Sequence, residues 1–260
     1  MSIAINGQLP QGFAVDGQAV NGLASSGQVI WSSEPQYVTD GLLLRLDSLE
    51  NLRSGYSGNT NVWEDLSGNG NDFNLHSFSH SADGWKPDGL YFPNDAANRY
   101  GQCVNILPLP NNSPFTVAVL VRLENVPARI SQQFLANWTS SSPSGGISFG
   151  LSDNVYNVLK FHTKSSIELN SSKNVNASVH TFSVTHTYPG IDKMFIDEAF
   201  DSSKESSESP TANKNMYMAR YSGGQYLKGA YIKSVLLYNR ALSDDEIAQN
   251  SIVNKKRFNI

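Results

Sequence analysis

The chain has 260 residues, of which 39% are hydrophobic, 10% aromatic and 16% charged, and its formal net charge at pH 7 is -4. This size allows a single domain with a sizeable core, and the abundance of Ser, Asn, Thr and Gly favours strands and turns over helices. A negative charge with no basic run longer than Lys255-Lys256-Arg257 argues against a nucleic-acid partner, and no stretch approaches the ~18 apolar residues of a membrane span or the pattern of a signal peptide.

Residues 1–35 are predicted to form an N-terminal arm that repeats a short unit. The unit occurs at residues 5–8, 15–18, 20–22 and 26–31, and Asn-Gly or Asp-Gly recurs in it. These dipeptides favour tight turns, so each unit predicts a strand end followed by a turn. Because such an arm cannot bury a core of its own, we expect it to dock on the rest of the chain or on another chain. The alternative is a flexible leader that happens to be rich in Gly.

Residues 36–260 are predicted to form one all-β domain. The segment 115–123 alternates as a central sandwich strand does, with five residues on one face: Phe115, Val117, Val119, Val121 and Leu123. The segment 180–186 repeats the pattern with Phe182 and Val184 inward. Residues 188–190 then turn the chain into 193–200, which predicts a hairpin.

The C-terminal part adds a strand at 231–238 and one short helix. Ser243 and Glu246 have the spacing of a capping box, which starts the helix. Strand follows strand with almost no helix. The predicted fold is therefore a two-sheet antiparallel β-sandwich with one C-terminal helix.

Five segments occur in an order that resembles the laminin G-like, concanavalin A-like lectin/glucanase domains. They are 41–47, the loop 63–72 with its Asp-Leu-Ser-Gly-Asn-Gly-Asn sequence, 88–92, 180–200 and 238–247. The resemblance implies a jelly roll of the lectin type. The sequence departs from the family pattern in two places. Glu198 replaces the usual Gly at the hairpin tip, and Lys233 and Ser234 replace the acidic residues that usually precede the closing strand.

The loop 65–72 is a candidate calcium site. Asp65, Asn69, Asn71 and Asp72 supply hard oxygen ligands close together, as Ca²⁺ prefers. The same sequence is also an excellent turn, so a purely structural loop is the alternative.

A carbohydrate site needs aromatic rings that stack on sugars and planar polar groups that bind hydroxyls. Trp85 is expected in a loop, where core packing explains a large aromatic less easily, and Asn137 and Trp138 end a strand beside a Ser-rich loop. For each candidate, packing in the core is the alternative. The candidate ligand-binding residues are Trp85, Asn137, Trp138, Tyr156, His162, Arg220, Tyr221 and Tyr226.

Catalysis is not predicted. The endoglucanases of the family that this sequence resembles carry Glu-x-Asp-x-x-Glu on one strand, and this run is missing from the sequence. The acidic clusters at 64–65, 197–198 and 244–246 are expected in a loop, a hairpin tip and a helix cap.

The arm resembles the N-terminal Asn-Gly repeats of bacteriophage tail and neck proteins. The leading hypothesis is a non-catalytic carbohydrate-binding module of a phage or prophage virion, made in the bacterial cytoplasm. Its expected partners are host cell-wall or surface polysaccharide and, through the arm, other virion proteins; a homo-oligomer is compatible with such an arm. The alternatives are a virion decoration protein that uses the sandwich for protein contacts and, last, a glycan hydrolase.

Overall fold

The computed structural model describes residues 13–15, 18–20, 22–25, 28–32, 35–53, 60–94, 98–105, 113–124, 132–137, 146–152, 158–163, 167–175, 177–206, 215–220 and 226–260. The chain divides into two compact units, residues 1–37 and 38–260. Neither helix in the described ranges has the length and hydropathy that a membrane span requires.

The first unit contains two antiparallel hairpins, each of two strands. β1 (Phe13–Val15) pairs with β2 (Gln18–Val20), and β3 (Gly22–Ser25) pairs with β4 (Gln28–Ser32). The dipeptides at 16–17 and 26–27, which are predicted to form turns, lie outside the described residues.

The second unit is almost entirely β. Its elements in chain order are β5 (Leu42–Asp47), α1 (Ser48–Arg53), β6 (Val62–Trp63), β7 (Phe73–His76), β8 (Gly84–Lys86), β9 (Gly89–Phe92), β10 (Tyr100–Cys103), β11 (Phe115–Leu123), β12 (Gln132–Ala136), β13 (Ile147–Leu151), β14 (Val158–Thr163), β15 (Ile167–Asn174), β16 (Val179–His186), β17 (Gly190–Ile196), β18 (Ala199–Ser206), β19 (Tyr217–Met218), β20 (Ala230–Tyr238) and α2 (Asp244–Phe258).

These strands form two eight-stranded antiparallel sheets. Sheet 1 has the order β15-β14-β13-β12-β19-β10-β7-β6. Sheet 2 has the order β18-β17-β16-β11-β20-β9-β8, and β5 also pairs with β20. The prediction of a two-sheet sandwich is confirmed.

The hydrophobic core lies between the sheets. β11 occupies the middle of sheet 2, and its five predicted inward residues all belong to the core, as do Phe182 and Val184 of β16. Sheet 1 contributes fully buried aromatic rings such as Trp63, Phe73 and Phe134. The alternation read from the sequence therefore identifies the core face correctly.

The outer face of sheet 2 is covered in part by the C-terminal segment. Thr116 of β11 donates through Oγ1 to the carbonyl of Arg240 and accepts from the amide of Leu242, both at 2.9 Å. Asn254 of α2 donates to Oγ1 of Thr181 in β16 at 3.3 Å. This packing explains why the polar face of β11 is also buried.

Helix α1 was not predicted, and Asp47 accounts for it. Its Oδ1 accepts hydrogen bonds from the amides of Leu49 at 2.9 Å and Glu50 at 3.3 Å, which satisfies two donors of the first turn. Arg257 of α2 pairs with Asp47 at 2.5 Å and with Glu50 at 2.9 Å.

The predicted capping box of α2 is confirmed. Oγ of Ser243 accepts from the amide of Glu246, and the Glu246 carboxylate accepts from the amide of Ser243 at 2.8 Å. Arg240 holds the same carboxylate with two hydrogen bonds of 2.8 and 2.6 Å. The helix start is thus fixed to the loop that precedes it.

We expect Glu246 to stabilise the fold in a pH-dependent way. Hydrogen bonds from Arg240, aided by Ser243 and opposed by partial burial, lower the pKa of Glu246 from 4.5 to about 2. Because the folded pKa lies below the unfolded one, the stabilisation is complete above pH 4.5 and is lost as the pH falls toward 2. Since the pair is partly exposed, it contributes about 1 kcal/mol.

Glu246→Gln should therefore remove about 1 kcal/mol of pH-dependent unfolding free energy over that acidic range, measured by urea denaturation at several pH values. Glu205→Gln, at an exposed position of β18, serves as the control and should leave the profile unchanged. An unaltered profile for Glu246→Gln would contradict this role.

Candidate functional site

The outer face of sheet 1 carries a row of residues in register across all eight strands. Each lies next to core residues in its own strand, so alternation directs it away from the core. We call it the transverse row: Val62, Asn74, Gln102, Tyr217, Ala136, Ser148, His162 and Glu168.

Accessibility changes along the transverse row. Asn74 is exposed and Gln102, Tyr217 and His162 are half-buried, whereas Ala136 and Ser148 in the middle are buried. Polar groups that are reachable from solvent thus lie toward both ends of the row.

The β14–β15 end of the row is charged. Lys160 pairs with Glu168 at 3.1 Å, and Asn170 donates to the same carboxylate at 3.1 Å. Burial raises the pKa of Glu168, but the hydrogen bonds from Asn170 and Lys160 lower it by more, so the net shift is downward. This carboxylate is therefore ionised and already paired with Lys160 and Asn170. Burial, and then the charge of Lys160, lower the pKa of His162.

At the other end, β7, β10 and β19 bring together an aromatic–arginine cluster. Its rings meet around Tyr100, whose centroid lies 4.5 Å from that of His76, 6.1 Å from that of Tyr217 and 6.5 Å from that of Tyr226. The guanidinium carbon of Arg220 lies 4.4 Å from the centre of the Tyr100 ring and 5.3 Å from that of Tyr217. All five side chains are half-buried.

Strand alternation places the cluster on the surface. In β19, Met218 belongs to the core and Tyr217 faces the other side. Tyr100 precedes the buried Gly101 and pairs with His76 across β10 and β7. Arg220 is held beside Tyr226 by an isolated antiparallel bridge, just beyond the end of β19.

Arg220 has an unusual electrostatic setting. Its Nε is shielded from solvent and has no hydrogen-bond partner. No carboxylate in the described ranges forms an ion pair with it. Its charge acts instead on His76, whose pKa is lowered first by burial and then by Arg220.

Of the predicted ligand-binding residues, Arg220 and Tyr226 lie in the aromatic–arginine cluster and His162 lies in the transverse row. Trp138, Tyr156 and Tyr221 fall outside the described residues.

The other two predicted residues lie elsewhere. The expectation that Trp85 occupies a loop is wrong, because it lies in β8, is 5% exposed, packs against Trp63 and donates to the carbonyl of Thr60 at 2.9 Å. Asn137 is 2% exposed, and its Oδ1 accepts from the amide of Ile147 at 2.6 Å, which extends the pairing of β12 with β13. Core packing, the alternative given for each candidate, accounts for Trp85, whereas strand pairing accounts for Asn137.

Sequence reasoning missed His76, Tyr100 and Tyr217. A usable signal existed for Tyr217, since Met-Tyr-Met is the alternation of a strand with one polar aromatic facing outward. The other two stand at strand ends, where no local pattern shows that β7 and β10 are neighbours.

The candidate calcium loop is rich in internal hydrogen bonds. Oδ1 of Asp65 accepts from the backbone amides of Arg45 and Ser67. Its Oδ2 accepts from the hydroxyl of Ser67 and from the backbone amide of Asn71. The side-chain amides of Asn69 and Asn71 donate to the carbonyl of Leu43.

These contacts favour the turn interpretation of the loop, because the donors occupy the carboxylate oxygens that a cation would need. Within the described part of the chain, no three His, Cys, Asp or Glu side chains form a group that could hold a metal. Calcium binding by Asp65, Asn69, Asn71 and Asp72 stays a prediction.

Comparison with known families decides the assignment of the sandwich. The sequence profile of the concanavalin A-like lectin/glucanases superfamily matches residues 95–248, which is more than half of the chain. The chain belongs to this superfamily. No curated protein matches the sequence.

Solved structures share the concanavalin A-like fold at low identity. A Trypanosoma rangeli sialidase mutant displaying trans-sialidase activity matches with a TM-score of 0.56 and 14% identity over 84% of this chain and 33% of that one. The T. rangeli sialidase in complex with sialic acid gives 0.56 and 14% over 91% and 36%. The binding domain of botulinum neurotoxin serotype D/C gives 0.59 and 14% over 82% and 53%. The chain spans about a third of the length of these sialidases, and the likeness concerns the fold alone.

The hairpin that carried the resemblance to concanavalin A-like domains has its tip where predicted. Asp197 and Glu198 connect β17 and β18, and Asp197 adopts a φ of 59° while its Oδ1 accepts from the amide of Thr181 at 3.0 Å. Glu198, the departure from the family pattern, pairs with Lys255 of α2 at 2.5 Å. Glu198 therefore contacts α2 through an exposed ion pair.

Proposed function

We propose that this concanavalin A-like domain binds carbohydrate without catalysis, through the outer face of sheet 1. The aromatic–arginine cluster carries the proposal. Tyr217 and Tyr226 offer ring faces for stacking on sugar rings, and Arg220 and His76 offer donors for hydroxyl or acidic groups. The transverse row continues from the cluster with Gln102 and Asn74, whose amides suit hydroxyl recognition.

The chemistry of the described part of this face supports binding rather than hydrolysis. Most glycosidases use two carboxyl groups on either side of the scissile bond. The cluster contains none, and Glu168 in the transverse row is held by Lys160 and Asn170. Incubation with bound polysaccharide should release no reducing ends, and their release would overturn this part of the proposal.

We expect Tyr217→Ala to weaken polysaccharide binding roughly tenfold, about 1.4 kcal/mol, because it removes a stacking face of the cluster. Tyr217→Phe should retain most of the affinity. The matched control is Tyr231→Ala on sheet 2, where the ring of Tyr231 stacks on Tyr91 at 4.4 Å.

Surface-immobilised polysaccharides and biolayer interferometry would measure these affinities, and thermal unfolding would show that each variant is folded. Equal losses for Tyr217→Ala and Tyr231→Ala would mean that sheet 1 is not the binding face.

We further propose that the module belongs to a phage or prophage virion and recognises polysaccharide on the host cell surface, with residues 1–35 binding other virion proteins. The two hairpins β1–β2 and β3–β4 support this proposal, because a lone two-stranded hairpin is marginally stable in water and gains stability by docking on a partner. Several copies could assemble through such arms.

Deleting residues 1–35 should leave polysaccharide binding intact and abolish incorporation into particles, and it should reduce any oligomer to monomers in light scattering. If the deletion changes neither incorporation nor mass, the arm does not attach the module. If host attachment survives loss of the cluster, the sandwich is better explained as a decoration protein.

A further inference from the structure

We propose that the saccharide bound here is acidic, and that Arg220 binds its carboxylate while the tyrosines of the cluster contact the sugar ring. This inference rests on the proposed carbohydrate binding at the same cluster. It adds the chemical class of the ligand and the residue that selects it.

Arg220 differs from other arginines of the sandwich in its partners. Four others each pair with a carboxylate: Arg99 with Asp83, Arg122 with Asp88, Arg240 with Glu246 and Arg257 with Asp47. No described carboxylate or carbonyl accepts a hydrogen bond from Arg220. A guanidinium keeps its charge at any physiological pH, so this cation lacks a counter-ion in the described structure.

The ring contacts fix the orientation of the guanidinium. Its carbon lies 4.4 Å from the Tyr100 ring centre and 5.3 Å from the Tyr217 ring centre, so two aromatic rings hold it. Its Nε is buried, which leaves the terminal Nη groups as its remaining donors. Two parallel hydrogen bonds from such an edge match the geometry of a carboxylate.

The surroundings strengthen attraction for an anion. Partial burial reduces screening by solvent, and Arg220 is the charge that shifts the pKa of His76 downward after burial. His76 is therefore neutral at pH 7 and serves as a hydrogen-bonding group beside the cation.

The carboxylate of the transverse row is remote from Arg220. Glu168 is the one carboxylate of the transverse row, and its strand β15 lies four strands from β19, about 19 Å at ordinary strand spacing. Glu168 is also occupied by Lys160. A ligand carboxylate is the partner that this cation lacks.

The test compares polymers that differ only in charge. The full chain is measured against immobilised alginate and hyaluronate, against the same two polymers after reduction of their carboxyl groups to alcohols, against wall teichoic acid, whose anion is phosphate, and against neutral polysaccharides. We expect binding to at least one uronate polymer and a loss of tenfold or more on carboxyl reduction. Its affinity should also fall as salt rises from 50 to about 500 mM, since the contact is charged.

Variants assign the effect to Arg220. Arg220→Gln should abolish the preference for the native over the reduced polymer, and Arg220→Lys should lower it about tenfold because an ammonium lacks the planar fork. The matched control is Arg122→Lys, at a cation that also lies over a tyrosine, Tyr231, at 5.0 Å, but on sheet 2 and paired with Asp88. It should bind as the unaltered protein does.

Each other outcome overturns the inference in a distinguishable way. Equal binding to native and reduced polymers, or to neutral polysaccharides alone, would leave carbohydrate binding intact and refute acid selection. Stronger binding to teichoic acid than to uronates would refute recognition of a carboxylate. An unchanged preference for the native polymer in Arg220→Lys would refute the assignment of that preference to Arg220. If the chain bound none of the polymers, the proposed carbohydrate binding itself would be refuted. If Arg220→Gln does not fold, Arg220→Lys still tests the residue. The comparison of native with carboxyl-reduced polymers and the salt dependence, both measured on the unaltered chain, still test whether the ligand is acidic.

Discussion

Replacing His186 by leucine is expected to lower the free energy of unfolding by about 3 to 5 kcal/mol, because it strands a buried carboxylate. His186 of β16 and Asp192 of β17 are both 0% exposed, and Nδ1 of the histidine lies 2.7 Å from Oδ1 of the aspartate. The second ring nitrogen and the second carboxylate oxygen have no hydrogen-bond partner. Asp192 therefore depends on this one contact.

A double replacement tests the mechanism of that loss. In His186→Leu/Asp192→Leu both polar groups are gone, so most of the stability should return, to within about 1 kcal/mol of the unaltered protein. The matched control is His180→Leu, since His180 of the same strand β16 lies 3.2 Å from Asp197 at the hairpin tip, with 16% and 36% of their side chains exposed. Its cost should stay below about 1 kcal/mol.

Urea denaturation at pH 7 gives all three values. A cost for His186→Leu no larger than that for His180→Leu would show that the buried pair is not needed for the stability of the sandwich.

Gly150→Ala is the second substitution with a large expected effect, a loss of about 3 kcal/mol, at the upper end for overpacking. A Cβ at Gly150 would lie 1.9 Å from the carbonyl oxygen of Gln132 and 2.7 Å from Cα of Gln133. Both atoms belong to the backbone of β12, so relief requires β12 and β13 to separate. Rotation of a side chain cannot provide it.

Gly101→Ala is the control on the same sheet. Its new Cβ would come within 3.1 Å of the Phe73 ring, a side chain that can yield by a few tenths of an ångström. A cost of about 1 kcal/mol is expected. If the two alanine variants unfold at the same urea concentration, the close approach of β12 to β13 does not limit this position.

Local patterns in the sequence were sufficient for much of the fold. The alternation of 115–123 gives the strand and its core face, and the spacing of Ser243 and Glu246 gives the start of α2. These features depend on residues within a few positions of one another. The structure confirms them for that reason.

The candidate site depends on contacts that are distant in sequence, and the sequence does not predict them. Tyr100 meets Tyr217 because β10 pairs with β19, more than a hundred residues later. Arg220 and Tyr226 were chosen for their chemistry, but nothing local indicates that Tyr100 joins them. Trp85 shows the converse error, since the segment expected to be a loop is a short buried strand.

Two hydrogen bonds join Val38 to α2 and to β20, and they bear on how this domain can be rearranged in a longer polypeptide. The amide of Val38 donates to Oδ1 of Asn250 at 2.9 Å, and its carbonyl accepts from the hydroxyl of Tyr238 at 3.0 Å. The helix beyond Asn250 extends the chain by only about 12 Å, so the two ends of the sandwich are neighbours. A linker of about six residues would bridge them, which makes the domain suited to circular permutation and to insertion within a loop of a host protein.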